Sequence, residues 1–215
     1  MRVRRMLFAG PAALLAAGFA VLPCASRADE PLTPARLVEA LANAHEQPDA
    51  YKASLVLHVR MRVFPFIHIT LHGDAWYRRP GLYRYVLRGL PAMARAFSEM
   101  RYDLGDPIRW SERYTLAFAP ESTPAAPVLR LTPKRAGLVR SLDISVDPER
   151  GRILSAVWSR GDGGVIRLDQ AYEPVGGHAY VARQLATIDL PRMKAELEAD
   201  YADFAAEASA VGTVP

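Results

Sequence analysis

Histidines and carboxylates are the first residues to test for chemistry. His68 and His72 lie four positions apart, a spacing that chelates a metal on a helix. The residues around them alternate apolar and polar, which is a strand pattern. On a strand that spacing separates the two rings by about 13 Å. His58 could approach His72 across a hairpin, but no carboxylate or third ligand accompanies the pair, so no metal is assigned. Asp143 and Asp147 share one strand face with Asp162 elsewhere, a weak arrangement for calcium binding or acid catalysis. No G-x-S-x-G elbow and no phosphate-cradling loop occurs. The GDGG of 161–164 falls between two strand patterns and reads as a hairpin turn. No catalytic residue and no cofactor emerges, and only a dispersed site would make the chain an enzyme.

A different chemistry is suggested by residues 73–87, GDAWYRRPGLYRYVL. Trp76, Tyr77, Tyr83 and Tyr85 gather beside Arg78, Arg79 and Arg84. Either this is an ordinary sheet with an aromatic core face and a basic outer face, or it lines a site for a greasy molecule with an anionic head. Arg79-Pro80-Gly81-Leu82 fits a type II turn between two strands.

The elements that must position these residues follow from periodicity. In ASLVLHVRMRV, Leu55, Leu57, Val59, Met61 and Val63 alternate with His58, Arg60 and Arg62. Ile67, Ile69 and Leu71 continue the apolar set beyond Phe64-Pro65-Phe66. With those three as the loop, Val63 faces Ile67, Met61 faces Ile69 and Val59 faces Leu71, which keeps one face apolar. Further strands are expected at 114–119, 128–133 and 138–146, and after each of the two turns DPERGR and GDGG. A last one spans about 179–190. Helices are expected at both ends. Thr33 is a suitable N-cap and Pro34 a first helical residue for the segment ending near Pro48. Met193, Leu197, Tyr201 and Phe204 share a face at helical spacing near the C-terminus. A third amphipathic segment, LPAMARAFSEM at 90–100, places Met93 and Phe97 on an apolar stripe. It reads as a lid or as a fixed plug on the sheet.

The first 28 residues read as a signal peptide: Arg2, Arg4 and Arg5, an apolar run, and Ser26-Arg27-Ala28 before the cut. Cleavage there removes the only cysteine, Cys24. A competing cut would make Cys24 a lipidated N-terminus, against which Pro23 argues. The remainder, 29–215, is expected to be one domain. The leader holds four of the 27 Lys and Arg and none of the 23 Asp and Glu, so the rest carries 23 of each sign. The basic pI of about 9.4 therefore belongs to the leader, and no nucleic-acid partner is implied.

The order of parts resembles the periplasmic lipoprotein-carrier superfamily, the LolA/LolB-like proteins. A helix and long hairpin precede G-x-x-W/Y-x-R-R-P-G-x-[YF]-R, here Gly73 through Arg84. L-x-L-x-P-K follows as LRLTPK at 129–134, and a strand pair begins LDISVDPERGRI. The resemblance implies an α+β fold: an incomplete antiparallel barrel whose concave apolar face is covered by helices. It implies a non-enzymatic periplasmic carrier or binding protein for lipids or lipoprotein acyl chains. On that footing Leu57, Val59, Met61, Ile69, Tyr85, Met93 and Phe97 are placed on the cavity side. Arg79 matches the arginine that holds the lid closed in such carriers, and is placed at the mouth. Phe64 and Phe66, at a hairpin tip, are placed for contact with a membrane or a membrane-protein partner. The alternative on the same fold is a protein-interaction or envelope-stress-sensing module with its concave face filled by side chains.

Overall fold

The computed structural model describes residues 31–206, apart from 64–65, 91–94 and 96–97. The expected leader and Cys24 lie outside the described residues, as do Phe64, Met93 and Phe97. The described residues from Leu32 to Ala206 fall in one compact unit.

Alternation of apolar and polar residues builds an eleven-stranded antiparallel sheet that does not close. Its strands are β1 (Ala50–Met61), β2 (His68–Arg78), β3 (Leu82–Arg88), β4 (Glu99–Asp103), β5 (Tyr114–Phe118) and β6 (Val128–Pro133). The second run is β7 (Val139–Asp147), β8 (Arg152–Arg160), β9 (Val165–Val175), β10 (His178–Leu190) and β11 (Met193–Ala206). Their spatial order is β4-β3-β2-β1-β11-β10-β9-β8-β7-β6-β5. Two meanders thus meet where the first and last strands pair, Leu57 opposite Ala199 and Val59 opposite Leu197. β4 and β5 lie at opposite edges, so the chain between them must travel the width of the sheet. That segment carries a short 3-10 turn (Pro107–Arg109) and α2 (Trp110–Arg113).

α1 (Pro34–Ala42) forms as its sequence requires. Thr33 Oγ1 accepts from Arg36 N–H at 3.3 Å, and proline occupies the first turn. Its Leu37 and Val38 join Trp110 in a buried cluster with Leu129, Leu131, Leu142, Ile144 and Val146. Each such aliphatic contributes about 1.5–3 kcal/mol on burial. α1 and the travelling segment therefore pack on the inner face of β6–β8. A second cluster lines β1–β3, β10 and β11.

Four sequence expectations change. The expected C-terminal helix is β11. The spacing 193, 197, 201 is also even, and Ala195, Leu197, Ala199 and Tyr201 alternate with Lys194, Glu196, Glu198 and Asp200. Burial between β1 and β10 overrides the helix propensity of its alanines. In the segment expected as helix 90–100, Glu99 and Met100 begin β4, and most of the rest lies outside the described residues. The first hairpin pairs Val59 with Ile69 and Leu57 with Leu71, two residues from the expected register. A slide of two preserves both faces, so alternation could not detect it. The turn after β2 contains a cis Arg79–Pro80 bond and closes from Gly81 N–H to Arg78 O at 3.2 Å, a type VI arrangement rather than type II.

Gly73 sits on the inner face where β2 crosses β3, and a Cβ there would collide with the Val86 carbonyl oxygen. Gly73→Ala should lower unfolding free energy by about 1–3 kcal/mol in urea titration. Gly137→Ala, with open space around it, should leave the midpoint where it is.

Candidate functional site

The inner face is not uniformly filled. At one end an aromatic array closes it: Tyr51 lies 5.0 Å from both Tyr77 and Tyr180, and Phe204 packs 4.6 Å from Tyr180. Phe204 reaches that array through a bulge. The pairing of β1 with β11 shifts between Lys52 and Ser54, and Asp203 adopts φ 53°. Ser54 Oγ holds the bulged residue, donating to Asp203 Oδ2 at 2.7 Å. The extra residue moves the inward set of β11 from odd to even positions, which turns Phe204 in.

Where the two clusters meet, an apolar cavity of ≈ 220 Å³ remains. In the same measure a single water needs about 10–15 Å³, and a 150 Å³ apolar cavity admits benzene. Leu55 and Leu57 of β1 and Leu197, Ala199 and Tyr201 of β11 form its floor. Tyr83, Tyr85 and Met100 wall one side, and Trp158, Ile166 and Leu168 the other. Ala186 and Ala199 leave the space that larger residues would fill.

Among the described residues, the polar groups that line the cavity are uncharged. Gln184 is 9 % exposed, and its Oε1 accepts from Tyr201 OH at 2.5 Å and from Tyr85 OH at 3.5 Å. Gln184 Nε2 donates to Gln170 Oε1 at 2.9 Å, and Gln170 Nε2 to Ile153 O at 3.3 Å. Burial pushes the Tyr85 hydroxyl up to about 12 and those of Tyr83 and Tyr201 well above the ordinary tyrosine range. The hydroxyls are therefore neutral hydrogen-bonding groups at physiological pH.

Of the residues placed on the cavity side by sequence, Leu57 and Tyr85 line this cavity. Val59 and Ile69 pack against the adjoining cluster without lining it. Met61 sits at the end of β1 opposite Ala195 and does not line it either. Phe66 is 78 % exposed. Of the aromatics of residues 73–87, Trp76 lies on the outer face, between Lys52 and Arg84 at 5.3 and 5.4 Å. The sequence does not mark Tyr201, Leu197 and Ala199 as cavity residues, because the spacing along β11 fits a helix face as well as a strand face. It marks Gln184 only as a polar residue in register with Ala186 and Ile188.

Arg79 does not reach this cavity; it lines a neighbouring space of ≈ 40 Å³. Its Nη2 donates to Ala44 O, and to Gln47 O at 2.7 Å, while Nε lies 3.6 Å from Asp49 Oδ1. Tyr77 OH donates to Gln47 Oε1 at 3.3 Å. Arg79 thus clasps the stretch after α1 to the end of β2.

The histidines of the first hairpin, His58, His68 and His72, are apart from all of this. His58 Nδ1 meets Thr70 Oγ1 at 2.9 Å, and His72 pairs with Val56. Among the described residues no group of three or more His, Cys, Asp or Glu is placed to hold a metal. Nor, among them, is any helix long and apolar enough to cross a membrane.

Solved structures, a LolA superfamily protein and a lipoprotein-sorting domain among them, share the fold of this chain. A LolA superfamily protein from Nitrosomonas europaea is 12% identical, with TM-score 0.55, over 83% of this chain and 96% of its own. An outer membrane lipoprotein-sorting protein domain from Vibrio parahaemolyticus is 10% identical, with TM-score 0.56, over 81% and 92%. A DUF1329 family protein from Desulfovibrio piger is 12% identical, with TM-score 0.56, over 84% and 93%. At these identities the likeness is one of fold. No family model and no curated protein matches the sequence.

Two outcomes are expected from this geometry. Unfolded tyrosines ionise near 10.0, whereas folded Tyr85 keeps its proton to about 12 and Tyr51, Tyr83, Tyr172 and Tyr201 also hold theirs beyond the ordinary range. Above the unfolded value the unfolded chain binds fewer protons than the folded one, so stability falls as pH rises. The tyrosine contribution should be constant below pH 10.0 and lost progressively toward about 12. Urea unfolding against pH, with tyrosinate absorbance followed in parallel, measures it. Arg79→Leu should cost about 1.5–3 kcal/mol and speed amide exchange selectively across residues 43–49 in hydrogen-exchange mass spectrometry.

Proposed function

We propose that the protein is a non-enzymatic periplasmic carrier or binding protein for lipids or lipoprotein acyl chains, exported by a cleaved leader at residues 1–28. The observation that most supports this reading is the apolar cavity of ≈ 220 Å³ between the two core clusters. Burial alone holds a chain there, at about 0.8 kcal/mol per methylene removed from water. Leu57 and Tyr85 touch the cargo, with Val59 and Ile69 packed behind the floor. Arg79 acts at a distance, keeping the stretch after α1 against the sheet. Phe66, exposed in the loop between β1 and β2, touches a membrane or a membrane-protein partner during exchange of cargo. The LolA-superfamily likeness supports the same reading through fold, which by itself does not specify cargo.

Native mass spectrometry of the protein purified from its own periplasm, with lipid extraction, tests the proposal. Co-purifying lipid or acylated protein is expected. Ala199→Phe fills the cavity floor and should abolish that adduct, while overpacking costs about 1–3 kcal/mol and leaves a cooperative melt. A clean mass that stays clean after incubation with lipid vesicles would overturn it.

A further inference from the structure

The cavity carries more information than its volume. Among the described residues none that lines it is Asp, Glu, Lys, Arg or His. Yet its wall is interrupted by two amides and three tyrosines, Gln170, Gln184, Tyr83, Tyr85 and Tyr201. A container for plain hydrocarbon needs none of these, and each polar group kept from water must be satisfied or it costs free energy.

The hydrogen-bond inventory is incomplete in one direction. A glutamine amide offers two N–H donors and an oxygen with two acceptor sites. Gln184 Oε1 is used by Tyr201 OH at 2.5 Å, and Tyr85 OH reaches it only at 3.5 Å. One Nε2 hydrogen goes to Gln170 at 2.9 Å, and Gln170 in turn spends a donor on Ile153 O. The second Nε2 hydrogen of Gln184 has no partner among the described residues. Tyr85 OH lies beside the Tyr201 hydroxyl and reaches Gln184 Oε1 only at the limit of hydrogen-bond distance, so it can turn to a better acceptor. The cavity thus offers two neutral donors and waits for an oxygen.

We propose that the cargo is an uncharged amphiphile whose ester, hydroxyl or keto oxygen accepts hydrogen bonds from Gln184 and Tyr85, and that chains headed by a carboxylate are turned away. This rests on the lipid-binding reading above and narrows it. A carboxylate in that position would lose its hydration and meet no cation. The raised tyrosine values act in the same direction, since these hydroxyls stay protonated donors. Of the cations in adjoining spaces, Arg79 is turned to the carbonyls of Ala44 and Gln47, and Arg113, Lys134 and Arg135 line a separate polar cleft that meets the cavity at Trp158.

Three probes of matched chain length separate the possibilities: 1-monoolein, oleate above its ionisation range, and 1-octadecene. Each is delivered from cyclodextrin and read by competition in native mass spectrometry on the purified protein. Monoolein should win over both others by about tenfold, the size that two neutral hydrogen bonds supply. Gln184→Leu should erase its advantage over octadecene, and Tyr85→Phe should remove part of it with less disturbance of the core. Equal binding of all three would overturn the head-group assignment and leave the carrier reading standing. Preference for oleate, lost on Lys134→Ala with Arg135→Ala, would overturn it in favour of a head seated in the basic cleft. Binding of none would defeat the carrier reading, and this inference with it.

Discussion

The pairing of β1 with β11 is the interaction on which the rest depends. It joins residues about 150 positions apart, from Tyr51 opposite Ala206 to Met61 opposite Ala195. Closing so long a loop is entropically costly, and the cost is offset only when both meanders are in place. Once the two strands pair, β4 and β5 become opposite edges. The chain between them must then cross the sheet, and its Trp110 is buried beneath that route at 3 % exposure. The cavity floor is also made by this pair, since Leu55, Leu57, Leu197, Ala199 and Tyr201 come from these two strands alone.

A sheet that stays open has one apolar face to cover, and this one covers it unequally. Over β6–β8, α1 and the crossing segment supply Leu37, Val38 and Trp110, and packing is tight. Over β1–β3 the aromatic array does the covering at one end, with edge and tilted ring contacts of 4.6–5.9 Å. Between the two, alanines at 186 and 199 leave room. The cavity is therefore a seam between two cores, and its polar groups lie along that seam.

Cross-strand ion pairs line the outer face. Arg183 bonds Glu198 and lies 3.5 Å from Asp200, Lys52 lies 3.4 Å from Asp74, and Arg84 bonds Glu99 at 2.9 Å. These exposed pairs contribute little each. They do keep the convex side wet and give the strands an unambiguous outer face. The arginines of residues 73–87 divide accordingly: Arg78 and Arg84 face outward with Trp76, while Arg79 turns to the carbonyls after α1.

By itself the sequence determined most of the strands and their inward faces, though not β4 or β11, together with the cap of α1 at Thr33 and the superfamily likeness carried by Gly73 through Arg84. These are local properties, set by alternation and by backbone chemistry within a few residues. Tertiary structure alone decided that Met193–Ala206 is a strand, because even spacing fits a helix face and a strand face alike until a partner on each side selects one. It alone set the first hairpin's register, because a slide of two preserves every face. And it alone assembled the cavity, because Leu57, Tyr85, Trp158, Gln184 and Tyr201 share no local signal and meet only when distant strands lie side by side.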